Sequence, residues 1–204
     1  MNKKEKIETI KRYEDRLNKY GVSVKTMGWR NQKQQFLRFR ILKEISENLE
    51  GTSVLDIGCG FGDFYNYLKK NDINVKYTGF DISPKIIKKA KELHPNAIFE
   101  VRDILQDNIN KKYDYIFLSG LLNARLSDNE QFAKKIIPRM FKIAKTGVAV
   151  NLMSNHVDYR EDQHYYYSPE GIFSFCKTLT RYVALRHDYP LYEFTVYLYH
   201  QTHG

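Results

Sequence analysis

The residues with the clearest chemical content in this 204-residue chain fall in one short run, Asp56-Ile57-Gly58-Cys59-Gly60-Phe61-Gly62. Glycines at 58, 60 and 62 let the backbone turn sharply and leave no side chain in the way of a ligand lying across the turn. Any tight turn between a strand and a helix can use glycine, so the glycines alone point weakly. Two acids strengthen the signal: Asp81, 21 residues after Gly60, and Asp103, each closing an apolar, β-rich run. A carboxylate at the first of these positions can accept both hydroxyl hydrogens of a ribose. Asp103 would lie close to the base of the same nucleoside.

The surrounding charges bear on which nucleoside that is. A dinucleotide site asks for G-x-G-x-x-G, so that a pyrophosphate meets a helix N-terminus. Here Gly62 is followed by Asp63, which opens the next helix, and Asp56 precedes the turn. Two carboxylates around the loop would repel a pyrophosphate but tolerate a ligand with a positive centre and an ammonium group. The arrangement argues against NAD and suits S-adenosyl-L-methionine.

Alternating elements must position these acids. SVLDIG, VKYTGFDIS, NAIFEVRD, YDYIFLSGLL and GVAVNLMS read as five strands, separated by helical runs such as FYNYLKKN, PKIIKKAKEL and SDNEQFAKKIIPRMFKIAK. Ser127, with Glu130 three residues on, has the capping-box pattern, and Pro138 should bend or shorten the helix that follows. Strands alternating with helices imply a parallel sheet covered on both faces, with the ligand crevice at the carboxyl ends of the strands. SPEGIFSFCKTL is a further helix. TRYVALRHDY and LYEFTVYLYH are separated only by a Pro190 turn, too short for a parallel crossover, so they must form an antiparallel hairpin. The expected fold is α/β: a seven-stranded, mostly parallel, doubly wound sheet with a C-terminal antiparallel hairpin and N-terminal cap helices. Ile7, Ile10, Tyr13 and Leu17 outline the first cap helix, ended by Gly21. The second is expected from about Asn31 to Leu49. Residues 1–49 form this cap within the same domain, and residues 50–204 form the ligand-binding domain.

In their order, VLDIGCGFGDF, GFDIS, FEVRDI and YDYIFLSGLL resemble the motifs of Rossmann-like (class I) S-adenosylmethionine-dependent methyltransferases, over about residues 50 to 200. The resemblance implies that the backbone of Gly58, Cys59 and Gly60, after Asp56, follows the methionine part of the cofactor. It implies that Asp81 holds the ribose hydroxyls and Ile82 covers the adenine face. Asp103 would accept from the adenine amino group, and Ile104 would donate its backbone N–H to the ring. Ser119 and Gly120 would border the methyl donor. Amino-directed methyltransferases acting on adenine, cytosine or glutamine commonly carry Asn/Asp-Pro-Pro-aromatic after the fourth strand. This chain has Ser119-Gly120-Leu121-Leu122-Asn123 instead, a departure that favours small acceptors.

Methyl transfer needs an aligned acceptor lone pair, a dry site and, for some acceptors, a base. The loop 154–167 follows the fifth strand and carries His156 and His164 as candidate bases; His164, set among tyrosines, is the better placed. His187-Asp188 lies at the hairpin turn and is more simply read as part of the bend. In the cap, Trp29 could cover the ligand, and the Arg38 guanidinium could pair with the methionine carboxylate. Cys59 reads as a small filler of the turn.

Composition bounds the rest. With 42% hydrophobic and 28% charged residues, 11 Gly and 5 Pro, the chain has the make-up of one globular domain. No apolar run approaches a membrane span, and the N-terminus lacks the pattern of a secretion signal. Two cysteines make no disulfide framework, and a cytoplasmic location is expected. No cluster has metal-ligand spacing, so no metal is expected. The net charge of +9 would suit nucleic acid, but the lysines are scattered along amphipathic segments. The expected activity is methyl transfer from S-adenosylmethionine to an oxygen or nitrogen of a small molecule. An RNA or protein methyltransferase using the basic surface, or a non-catalytic cofactor-binding protein, is the alternative.

Overall fold

In the computed structural model, which describes residues 1–202, thirteen elements alternate largely as the sequence pattern implies. His203 and Gly204 lie outside the described residues. Five strands, β1 (Ser53–Ile57), β2 (Lys76–Asp81), β3 (Ile98–Val101), β4 (Tyr113–Leu118) and β5 (Ala144–Met153), run parallel. The last two, β6 (Tyr182–Arg186) and β7 (Glu193–Tyr199), form the antiparallel hairpin. β7 also pairs antiparallel with β5, so the sheet order is β3-β2-β1-β4-β5-β7-β6. Because β7 runs backwards, its first residue, Glu193, sits opposite Met153 at the end of β5. Glu193 therefore lies at the edge where the parallel strands finish.

Side-chain alternation explains why both faces are covered. Leu55, Ile57, Ile116, Leu118, Val148 and Val150 enter one core, with Phe132, Ile136 and Met140 of helix α5 (Asn129–Ile143) and Ile172 of α6 (Pro169–Lys177). Val54, Tyr115, Phe117, Ala149 and Tyr197 enter the other. There they meet Phe39 and Leu42 of α2 (Gln32–Lys43), Phe64 and Leu68 of α3 (Asp63–Lys70), and Ile87 and Ala90 of α4 (Pro84–Leu93). A strand buried on both faces reads as a nearly unbroken apolar run, as SVLDI and YDYIFL do.

Local chemistry sets the helix starts. Asn31, Ser83 and Ser168 cap α2, α4 and α6 through their side-chain oxygens, each satisfying an otherwise orphaned N–H. Three details differ from the sequence-based expectations. The helix α2 stops at Lys43; tight turns from there carry Ile45 and Leu49 into the core. The cap of α5 is Asp128, one residue later than expected, while the Ser127 N–H donates to Glu5 Oε1 at 2.7 Å. Helix α5 runs through Pro138. A proline inside a helix costs about 3 kcal/mol, less than the burial of Phe132, Ile136, Ile137 and Met140 at roughly 1.5–3 kcal/mol each.

Helix α1 (Lys3–Tyr20) behaves differently. It begins in a full capping box between Asn2 and Glu5 and ends at Gly21, yet it has no fully buried residue, and Ile7 is exposed. Polar contacts tie it down at three places: Lys6 to Asp103, Glu5 to Ser127, and Glu14 to Ser83 and Lys85. These bonds carry it across the finishing edge of the sheet. Among the described residues, no helix is long and apolar enough to cross a membrane.

Candidate active site

Residues from β1, β2, the segment after β3 and β4 meet at the carboxyl edge of the sheet. After β1, the Gly58 and Cys59 amides both donate to the carbonyl of Phe80 in β2, at 2.8 and 3.0 Å, which folds the glycine turn onto the end of β2. There the carboxylate of Asp81 accepts from the Gly60 N–H (3.2 Å) and the Ser83 N–H (3.0 Å). Burial raises the Asp81 carboxyl above its usual range, and those amides oppose the shift. Asp103, two residues beyond β3, accepts from the Leu105 N–H (3.0 Å) through one oxygen and from Lys6 Nζ (2.8 Å) through the other. Ile104 beside it is buried.

Glycine is needed at two points of this edge for a steric reason. Gly60 and Gly120 have φ of +54° and +76°. A Cβ on Gly60 would lie 2.5 Å from Met27 Sδ, and one on Gly120 would lie 2.5 Å from Trp29 Cη2. The loop between α1 and α2 is thus seated directly on the two glycines, and Leu121 takes the equivalent place over Gly58.

Beneath the turn sits a group of acids. Asp56 is buried, and its only hydrogen-bond donor among the described residues is the Tyr77 hydroxyl at 2.6 Å. Burial, with Asp81 and Asp63 nearby, pushes its carboxyl up to about 7 against the pull of that hydroxyl. Asp63, the first residue of α3, accepts from Gln35 Nε2 at 2.9 Å. Cys59 is buried, with its sulfur against Gly79, as a filler should be; burial raises its thiol well above the usual range.

Residues 48–182 match the family described as "Methyltransferase domain". The chain is 34% identical over 154 residues to "Putative methyltransferase Rv1506c" of Mycobacterium tuberculosis (strain ATCC 25618 / H37Rv), covering 71% of this chain and 90% of that protein. This chain belongs to the Rossmann-like S-adenosylmethionine-dependent methyltransferases. Solved structures agree in fold. Magnesium protoporphyrin IX methyltransferase from Synechocystis PCC 6803 with bound SAH superposes with a TM-score of 0.62 at 16% identity, over 92% of this chain and 94% of that one. The DhpI-SAM-HEP complex gives 0.67 at 14%, over 93% and 95%.

The residues present in this methyltransferase fit its cofactor. Two carboxylates, Asp81 at the end of β2 and Asp103 two residues beyond β3, stand at this edge as acceptors suited to hydroxyl and amino groups. The edge also carries buried polar atoms without a protein partner, among them Arg38 Nη1 and Ser119 Oγ.

The other candidates are distributed unevenly. Trp29 stacks under the Arg38 guanidinium, 4.5 Å from ring centre to Cζ, and its ring edge stands against Gly120. Arg38 is already bound, through Nε at 2.9 and 2.8 Å, to the two oxygens of Glu193. His164 belongs to a loop that pairs with the segment following β4, through Arg125 N–H to the Gln163 carbonyl and Tyr165 N–H to the Asn123 carbonyl. Its Nδ1 lies 3.0 Å from Glu161 Oε2, off the hydrogen-bond line. His156 is exposed and bonded through Nε2 to Glu170 at 2.8 Å. His187 stands against the His156 ring.

Sequence reading missed Glu193, Asn151 and Lys6. The one available signal for Glu193 is an acid at the head of an otherwise β-rich run, EFTVYLY, whose members are nearly all buried. An acid there requires a buried partner, but nothing local says that Arg38, 155 residues away, supplies it.

Proposed function

We propose that this methyltransferase moves the methyl group of S-adenosylmethionine to an oxygen or nitrogen of a small-molecule acceptor bound beside the ends of β4 and β5. When bound, the cofactor supplies an electrophilic methyl on a positively charged sulfur. Asp56, Gly58, Cys59, Gly60 and Arg38 serve its methionine end, Asp81 and Ile82 the ribose and adenine face, and Asp103 and Ile104 the base. Ser119, Gly120 and Trp29 border the methyl group. His164 takes the acceptor's proton where one must leave.

The observation that carries the small-molecule reading is the roof. Met27, Trp29 and Leu121 press to within 2.5–2.8 Å of where side chains on Gly60, Gly120 and Gly58 would begin. Cover supplied this closely by the chain itself supports an acceptor of small-molecule size over a macromolecular one. The Synechocystis relative in fold is named for a small acceptor, magnesium protoporphyrin IX. The two cysteines, both buried and unpaired, support a cytoplasmic location.

Transfer of labelled methyl from S-adenosylmethionine to pooled carboxylic acids, alcohols and amines, alongside RNA and protein, tests this. Turnover of a small acceptor, nearly indifferent to salt, is expected. Activity confined to RNA or protein and falling steeply with salt would replace the reading by one based on the basic surface. Tight cofactor binding with no turnover of any acceptor would make the chain a binding protein.

A further inference from the structure

A closed ring of contacts surrounds the end of β4. Gly120 donates its N–H to Asn151 Oδ1 at 3.2 Å. Asn151, buried in β5, donates through Nδ2 to Glu193 Oε2. Glu193 accepts from Nε and Nη2 of Arg38. Arg38 stacks on Trp29, and Trp29 returns to Gly120. Donors and acceptors alternate, so the Asn151 amide has only one orientation that serves both neighbours.

Glu193 is not available as a base. Its two oxygens are taken by three N–H groups of Arg38 and Asn151, and it is only 3% exposed. One member of the ring is incomplete: Arg38 Nη1 is buried and has no partner in the protein. A buried guanidinium N–H calls for an acceptor, preferably an anionic oxygen, which it binds in a charge-assisted bond.

We propose that Glu193 is a positioning residue for methyl transfer. It clamps the guanidinium of Arg38 so that Nη1 faces the carboxylate of the cofactor's methionine end. Through Asn151 it also orders the Gly120 amide, a backbone contact that bears on the transfer step and not on the binding of the adenosine part. The proposal rests on the reading that these strand ends hold S-adenosylmethionine. Glu193 touches neither cofactor nor acceptor, and its effect is confined to ligands that carry the amino-acid end.

Two ligands separate this from a merely structural role: S-adenosylhomocysteine, which has the amino-acid end, and methylthioadenosine, which keeps the adenosine and sulfur but lacks it. Calorimetric titration of the full chain with each should show that Glu193→Gln weakens S-adenosylhomocysteine by about tenfold or more. Methylthioadenosine should change by less than about twofold. In an Arg38→Ala background, Glu193→Gln should add no further loss for S-adenosylhomocysteine. Glu193→Asp keeps the charge but withdraws it by one methylene; it should show the same selective loss and serves if the glutamine variant does not fold. Equal weakening of both ligands, or undiminished S-adenosylhomocysteine binding, would overturn the assignment of Glu193 while leaving the cofactor site intact. A wild-type chain that binds neither ligand would overturn the cofactor reading itself.

Discussion

Lys6 Nζ donates to Asp103 Oδ2 at 2.8 Å, so the carboxylate assigned to the adenine amino group is held by the N-terminal helix. The pair is largely shielded, with side-chain exposures of 26% and 14%. In the proposed site the adenine amino group would share the Asp103 carboxylate with Lys6. Lys6→Ala should therefore speed cofactor association, by up to about fivefold, the equivalent of the 1 kcal/mol that such a pair contributes at most. Stopped-flow binding compares the two proteins; a slower variant would mean that Lys6 helps to build the site.

Asp81 stands at the end of β2 with its oxygens against the Gly60 and Ser83 amides. Asp81→Ala should weaken cofactor binding by about 1–3 kcal/mol, the cost of ribose hydroxyls left poorly paired. Calorimetry reads this directly, and unchanged affinity would remove Asp81 from the site.

A methyl group at Gly120 meets Trp29 at 2.5 Å on a backbone with φ of +76°. Gly120→Ala should cost about 1–3 kcal/mol of folding stability. It should also reduce methyl transfer more than Gly171→Ala, where the nearest atom to a new Cβ is 3.4 Å away. Parallel melting curves and turnover rates check both parts.

Burial holds the Asp56 carboxyl above the ordinary carboxylate range. It stands at about 7 in the folded protein, against an ordinary value of 3.8. A raised value means that the folded state binds the proton more tightly. The stability this contributes is complete below about pH 4 and is lost as pH rises through about 7. Asp56→Asn should flatten that part of the profile. The melting-temperature difference between wild type and variant, followed from about pH 5 to 8, should change steadily with pH; a constant difference would contradict the assignment.

The two histidines separate cleanly in expected effect. His164→Ala should lower the rate with a proton-bearing acceptor by about 10²–10⁴-fold while leaving cofactor affinity unchanged. His156→Ala, at an exposed pair with Glu170, should leave the rate within about twofold. The reverse pattern would transfer the role to His156.

What could be read from the chain alone divides along the range of the interaction. Gly58, Gly60, Asp81 and Asp103 announce themselves because a turn needs glycine and because each strand end lies close in sequence to its acid. The hairpin of β6 and β7 follows from a short turn at Pro190. Helix α2 ends early because backbone bonds from Ile45 and Ser46 to carbonyls three residues back close tight turns, which an apolar spacing extending to Leu49 does not reveal. Arg38 was legible as a guanidinium in the cap, but its partner was not, since Glu193 reaches it only after the whole sheet has formed. The same holds for Lys6, whose role depends on a helix held across the site by polar contacts with no fully buried side chain.

The most direct test of the site at the strand ends is calorimetric titration of the purified chain with S-adenosylmethionine and, separately, with NAD. Saturable one-to-one uptake of the sulfonium compound, lost or weakened in Asp81→Ala, with no heat from the nicotinamide, is the expected result. Absence of binding, or uptake of NAD instead, would contradict it.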